Sequence, residues 1–455
     1  MEYRTEYDSL GQVNVPADKS WGAQTERSRQ NFKIGTEKMP QEVIRAFAVL
    51  KAACAKANCD MGKLSERQRD GITAVCDDIL SGKLWDEFPL SVWQTGSGTQ
   101  TNMNLNEVIA HRANAAAGEN ILHPNDHVNS SQSSNDTFPS AMRIAFCTEI
   151  TRSLLPAVNR LTGVLDNLCE QYSDVIKIGR THLQDAVPLT LSQEISGWRA
   201  AISRDIAEIT DSMRGLSALA IGGTAVGTGL GAPDCFDKAV ARYVTDATGI
   251  AFTPSDNKFC SLTSLSDVAV AHGALRALAC DLMKMANDIR LLSSGPRCGI
   301  GELNIPENEP GSSIMPGKVN PTQCEMVTMV AARVMGNDTT VSFAASQGNF
   351  QLNVFLPVTA YTFLQSVRLL ADAAVSFTDN CVAGIKPNRA KIKENLDRSL
   401  MLVTALSGKI GYDNAAKVAK TAFAENLTLA KAAEKLGFMS EEEAKKALDP
   451  RQMIK

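Results

Sequence analysis

The chain has 455 residues, of which 46 are Lys or Arg and 50 are Asp or Glu, giving a net charge of −4 with both signs dispersed. No basic block marks a nucleic-acid surface, and no apolar run reaches membrane-spanning length, so neither kind of partner is expected. The opening MEYRTEYDSLGQ carries acidic residues and no apolar centre. It reads as neither a secretory signal nor an Arg-rich transit peptide, and a cytoplasmic protein is expected.

Length suggests about three domains. The eleven cysteines form no CxxC. Many, such as Cys147, Cys280 and Cys381, lie in apolar stretches and read as small core residues of a reducing compartment. Cys54 and Cys59 lack a matching second pair, and Pro124 interrupts the spacing of His123 and His127, so no metal site is expected.

Residues 1–131 read as an N-terminal domain of shorter helices and polar loops, with a helix over Gln41 to Met61. Its first polar cluster is Thr95-Gly-Ser-Gly-Thr-Gln-Thr-Asn102, whose small hydroxyls and amides can bring donors close to a carboxylate. The second cluster runs from His123 to Asp136 and opens on HPND, a turn signal. A third is Gly179-Arg-Thr-His-Leu-Gln-Asp185. Each alone also fits turn or helix-cap chemistry.

Residues 132–385 read as a central bundle. No proline occurs between Pro188 and Pro233, between Pro254 and Pro296, or between Pro321 and Pro357, and these gaps can hold long helices. Leu191, Ile195, Trp198, Ile202, Ile206, Ile209, Met213 and Leu216 recur at helical spacing. So do Leu275, Leu278, Leu282, Met285, Ile289 and Leu292, in the manner of a coiled-coil seam. Helices of about 30 residues would span roughly 45 Å and suit a bundle, often with copies from other subunits. Cys324 to Ile385 adds more apolar helix, with a kink or break expected at Pro357. Gly227-Thr-Gly-Leu-Gly-Ala232 fits a loose dinucleotide pattern, but Pro233 and helical flanks favour a tight connection between helices. Strand signals are weak throughout. Residues 386–455 are more charged and read as a small helical domain, with helices at Thr428 to Leu436 and Glu441 to Leu448.

The fourth cluster is Gly311 to Glu325, GSSIMPGKVNPTQCE. Gly and Pro hold its lysine, hydroxyls and amides on a shaped loop, which suits a negatively charged substrate or intermediate. It is not a phosphate-binding loop: five residues rather than four separate Gly311 from Gly317, and Val319 stands where a Ser or Thr would bind metal. Four uncharged-polar clusters with few fixed charges suit one composite site for a small polar anion.

TGSGTQTNMN, HPNDHVN, QSSND, IGRTHLQDAVPLTL and GSSIMPGKVNPTQCE together resemble class II fumarase of the aspartase/fumarase superfamily, over essentially the whole chain from VPADKSWGAQTERS onward. Gly317 and the PTQCE ending resemble fumarase more than aspartate ammonia-lyase, whose elimination reaction is the alternative. The resemblance implies an all-α fold of three domains (1–131, 132–385 and 386–455). The central bundle would join three copies of itself as the twenty-helix core of a homotetramer, each active site built from three chains, with no cofactor.

The implied reaction is reversible hydration of fumarate to L-malate, within the tricarboxylic acid cycle, through an aci-carboxylate intermediate. By resemblance, Ser312 takes the carbon-bound proton and Lys318 with neighbouring loop N–H groups stabilises its alkoxide. His182 helps protonate the departing hydroxyl, and Glu325 orients or charges that imidazole. Ser97, Thr99, Ser133, Ser134, Asn135, Thr181, Ser313 and Asn320 resemble substrate ligands. His123, Asn125 and Asp126 match a second dicarboxylate site, although Asn120 stands where some members carry Arg.

Overall fold

A computed structural model of the chain describes residues 2–454. Seventeen α-helices dominate it, as expected of an all-α protein. They are α1 (Ala23–Asn31), α2 (Gln41–Asp60), α3 (Glu66–Leu80), α4 (Thr99–Ala117), α5 (Ser134–Glu149), α6 (Leu155–Gln171), α7 (Leu191–Leu216), α8 (Phe236–Thr248), α9 (Lys258–Thr263), α10 (Ser266–Leu292), α11 (Thr322–Ala345), α12 (Leu356–Asn380), α13 (Arg389–Arg398), α14 (Ser407–Ile410), α15 (Tyr412–Ala424), α16 (Leu429–Lys435) and α17 (Glu441–Ala447). The long helices α7, α10, α11 and α12 have 26, 27, 24 and 25 residues.

The chain divides into two compact units. The first holds the chain up to Pro156 with Asp205–Ala279 and Ala332–Ala371; the second holds Ala157–Arg204, Cys280–Ala331 and the chain from Asp372 onward.

In the first unit α2 is central. Val43, Ile44, Phe47, Leu50, Cys54 and Ala57 recur at helical spacing and are buried. They face α3, α5 and α8. Phe47 meets Phe138 of α5 edge-on at 5.7 Å, and Phe146 stacks on Phe363 of α12 at 3.9 Å. Ser65 and Gln68 form a capping box at α3, and Ser133 and Asp136 form one at α5, each satisfying N–H groups that the helix start leaves unpaired.

The second unit centres on an antiparallel hairpin, β3 (Ile176–Thr181) and β4 (Gln184–Thr190). Ile178 packs into an apolar cluster with Leu406, Val418, Ala432 and Ala444 of the C-terminal helices. Trp198 of α7 donates to Asp288 of α10 at 2.9 Å, and the Tyr172 hydroxyl donates to the Ile385 carbonyl at 2.8 Å.

The proline map placed the long helices correctly, and all six seam positions from Leu275 to Leu292 are buried. Four details differ from expectation. Pro357 lies in the first turn of α12 rather than at a kink, a position where its missing N–H leaves no helical bond unmade. Cys280 is exposed, because it lies off the buried seam of α10. Tyr3–Asp8 pairs with Gly11–Pro16 as a hairpin, with Val13 and Val15 buried on one face. The third polar cluster lies on β3–β4 rather than on a loop, because short strands become stable only when paired and packed.

Candidate active site

In the second unit, residues 311–321 form a loop closed on itself. The Gly311 N–H donates to the Lys318 carbonyl at 3.0 Å, and Asn320 Nδ2 donates to the Gly311 carbonyl at 2.6 Å. A Cβ on Gly311 would stand 2.1 Å from the Lys318 carbonyl oxygen, so only glycine permits this closure. Ser312 Oγ accepts the backbone N–H groups of Met315 at 3.0 Å and Ile314 at 3.3 Å. Two N–H dipoles aimed at one hydroxyl oxygen favour negative charge there. Ser312, Lys318 and neighbouring residues line a cavity of about 390 Å³. Ser313 and Lys318 are exposed, and Glu325 lies in the first turn of α11, also exposed.

His182 and Leu183 are the two central residues of the β3–β4 turn, with φ of +56° and +60°. Such turns need positive φ at both positions and are ordinarily made with Asn and Gly. Two side-chain-bearing residues in that conformation are strained, a condition that clusters at functional sites. Thr181 and His182 are exposed at the tip. Among the described residues neither the His182 imidazole nor the Glu325 carboxylate has a hydrogen-bond partner, so no hydrogen bond joins the two within one chain.

The strand below His182 is held by charges that sequence reasoning did not single out. Arg180 pairs with Glu302 through two bonds, at 3.0 and 2.7 Å. Lys177 lies 3.3 Å from Glu302 and 3.1 Å from Glu194, and Asn395 donates to Glu302 at 2.9 Å. Glu302 and Lys177 are fully buried. Burial pushes the Glu302 carboxyl upward, but Arg180 and Lys177 outweigh it and hold its pKa below the ordinary value. Only the i, i+3 spacing of Lys177 and Arg180 hinted at this cluster, and that spacing is common on surfaces.

In the first unit, Ser97 and Thr99 share a hydroxyl hydrogen bond of 2.8 Å at the start of α4. Gly98 between them has φ +72°, and a Cβ there would stand 2.0 Å from the Phe138 ring of α5. This close approach brings the first and second polar clusters together. Asn102 Nδ2 bridges them, donating to Asn129 Oδ1 at 3.1 Å and Ser134 Oγ at 3.0 Å. Ser133 Oγ is engaged as the α5 cap, accepting the Asn135 N–H at 3.2 Å. Asn135 Nδ2 donates to the Ala225 carbonyl at 2.8 Å, tying in the glycine-rich connection, which is an irregular loop between helices as expected.

His123 caps a single wide turn, Pro124–Val128, accepting the Asp126 N–H on Nδ1 at 3.2 Å. His123, Asn125 and Asn120 border a cavity of about 630 Å³ with Arg4, Glu6, Asp8, Glu107 and His111. Asp126 is exposed beside it.

Residues 11–336 match the lyase family, and residues 402–455 match the fumarase C C-terminus family. The fumarate hydratase class II of Bacillus subtilis (strain 168) is 59% identical, covering 100% of this chain and 99% of its own. This chain belongs to the class II fumarate hydratase family. The Campylobacter jejuni relative of the same name is 56% identical, over 100% of this chain and 99% of its own. Among solved structures, class II fumarase from Schistosoma mansoni superposes with a TM-score of 0.97 at 42% identity, covering 99% of each chain. A fumarate lyase:delta crystallin from Brucella melitensis gives 0.95 at 39%, again over 99% of each.

Within this class II fumarate hydratase fold one arrangement imitates a serine hydrolase. His272 Nδ1 lies 2.9 Å from Asp338 and its Nε2 lies 2.9 Å from Ser366 Oγ. His272 and Ser366 are fully buried, and Ser366 Oγ also accepts from Asn337 at 3.0 Å and donates to Thr362 O at 3.2 Å. A nucleophile needs access to substrate, so this network is structural.

Proposed function

We propose that this chain catalyses the reversible addition of water to fumarate, giving L-malate, with the 311–325 loop supplying the base. One observation carries the reading: Ser312 Oγ receives two backbone N–H groups in a family whose members are hydratases. A serine hydroxyl is ordinarily far too weak an acid to ionise near neutral pH, and converging dipoles with a nearby ammonium lower that cost. In the malate direction Ser312 takes the proton from the carbon beside a carboxylate. The bond's electrons pass into that carboxylate, which becomes the aci form held by Lys318. The hydroxyl then leaves as water, protonated by His182, with Glu325 orienting the imidazole.

Ser97, Thr99, Ser134, Asn135, Thr181 and Ser313 are the proposed carboxylate ligands. Ser133, at the α5 cap, and Asn320, at the loop closure, are proposed as substrate ligands with them. We further propose a homotetramer of cytoplasmic protein with each site shared by three chains and a twenty-helix core, together with the domain division 1–131, 132–385 and 386–455. In support, the reactive groups of His182, Lys318 and Glu325 are exposed, as are Val270, Met329 and Phe343 on the long helices at 66%, 67% and 60%. A second dicarboxylate site at His123, Asn125 and Asp126 has weaker support. The bordering cavity carries Glu6, Asp8 and Glu107, while Arg4 is engaged by Glu6 and backbone carbonyls.

The test follows fumarate absorbance in the ultraviolet from L-malate and then from L-aspartate, with no added cofactor. Activity on L-malate is expected, and activity confined to L-aspartate would overturn the assignment in favour of an ammonia-lyase.

A further inference from the structure

The glycine-rich connection that follows α7 is gripped by a carboxylate. Asp136 of α5 is fully buried. Its Oδ2 accepts the Gly222 N–H at 3.0 Å and the Thr224 N–H at 2.8 Å, and its Oδ1 accepts the Ser133 N–H at 2.9 Å. Burial raises its pKa to about 6, so near neutral pH both oxygens are acceptors.

Thr224 is held in an unfavourable conformation. Its φ is +54°, a region that β-branched residues rarely enter. It is 4% exposed, and its hydroxyl has no hydrogen-bond partner among the described residues, so that hydroxyl does nothing to hold it. Its N–H on Asp136 does. Strained backbone persists only where its surroundings over-determine it, and such residues cluster at functional sites.

The next residue gives that strain a purpose. The Ala225 carbonyl accepts Asn135 Nδ2 at 2.8 Å. A carbonyl only accepts, so the amide nitrogen of Asn135 must face it. The second hydrogen of that nitrogen has no acceptor among the described residues, and Asn135 is partly exposed in the first turn of α5.

We propose that Asp136 is a positioning residue for dicarboxylate binding: by holding Thr224 in its left-handed conformation it places the Ala225 carbonyl, which orients the Asn135 amide as a donor toward a substrate carboxylate. The inference rests on the reading of Asn135 as a substrate ligand. Without the carboxylate, Thr224 relaxes to negative φ and the chain after it turns away from Asn135. Asp136 also closes the α5 capping box, a structural role that involves neither Asn135's amide nor Thr224.

The experiment measures kcat and KM for L-malate in the wild type, Asp136→Ala, Asn135→Ala, and Asp136→Ala combined with either Asn135→Ala or Thr224→Gly. Each of the two single variants is expected to raise KM about tenfold, with kcat within about twofold. In the Asn135→Ala background, Asp136→Ala should change KM by less than about twofold, because the group through which it acts is already gone. Thr224→Gly should bring the KM of Asp136→Ala back to within about threefold of wild type, since glycine enters the left-handed region without help. Unchanged KM in Asn135→Ala overturns the ligand reading and the inference with it. Raised KM there with unchanged KM in Asp136→Ala overturns the inference alone. So does an Asp136→Ala effect that persists in the Asn135→Ala background, or one that Thr224→Gly fails to relieve. Should Asp136→Ala not fold, amide hydrogen exchange decides. A saturating equilibrium mixture of fumarate and L-malate should slow exchange over residues 222–226 at least about threefold in the wild type and not in Asn135→Ala. Exchange that the mixture leaves unchanged in the wild type overturns the proposal.

Discussion

Glu302 receives both terminal nitrogens of Arg180, at 3.0 and 2.7 Å, and so fixes the strand whose next residues are Thr181 and His182. The position of the proposed acid group is thus set by a buried ion pair two residues before it in the chain. Removing one partner of such a pair leaves an uncompensated buried charge. Glu302→Ala should lose about 3–5 kcal/mol in urea unfolding, because Arg180 loses its carboxylate and Lys177 keeps only Glu194. A loss below about 1 kcal/mol would show that water reaches and solvates them.

The same pair makes a statement about acid. The Glu302 pKa lies below its ordinary 4.5. A depressed carboxylate stabilises the fold above the unfolded value, and that contribution is lost as pH falls through the folded one. Wild-type protein should lose stability below pH 4.5, and Glu302→Gln should lose less over that window. Parallel pH curves for the two would remove Glu302 from the acid response.

Gly98 permits the approach of α4 to Phe138. Gly98→Ala combines a positive φ with a side-chain clash, and the ring of Phe138 must shift. We expect KM for L-malate to rise at least about tenfold through displaced Ser97 and Thr99, with a stability loss of roughly 1–3 kcal/mol. Unchanged KM would separate these hydroxyls from substrate.

Ser312→Ala should reduce kcat by about a thousandfold or more while the thermal midpoint stays within a few degrees, since the hydroxyl makes no core contact. A near-normal rate would remove Ser312 from its role.

Ser366 offers a negative control for chemistry. A serine-directed fluorophosphonate should leave it unlabelled in folded protein, because it is fully buried beside His272. Labelling at Ser366 would reveal an opening that the fold does not have. Ser366→Ala should instead cost about 1–3 kcal/mol of stability by leaving the buried imidazole nitrogen without its partner.

The strained turn at His182 and Leu183 also bears on design. Leu183 is 71% exposed, so glycine there would lose little packing. Leu183→Gly should gain up to about 1 kcal/mol, from the left-handed conformation that glycine adopts freely. A drop in stability would mean that Leu183 is covered in the assembled protein.

Composition, the proline gaps and the apolar spacing were enough to specify a helical protein with long central helices. That is because helix periodicity and proline's missing donor act locally, within one turn of chain. The four polar clusters were legible for the same reason, since Gly, Pro and small hydroxyls announce shaped backbone where they stand. What the sequence could not decide was which donors face which acceptors. The pairing of Tyr3–Asp8 with Gly11–Pro16, the grip of Glu302 on Arg180 and the bridge from Asn102 to Asn129 and Ser134 all join residues that carry no mark of one another in the chain. Those relations arise only when burial removes water as a competing partner, so that each polar group must find its complement in the fold.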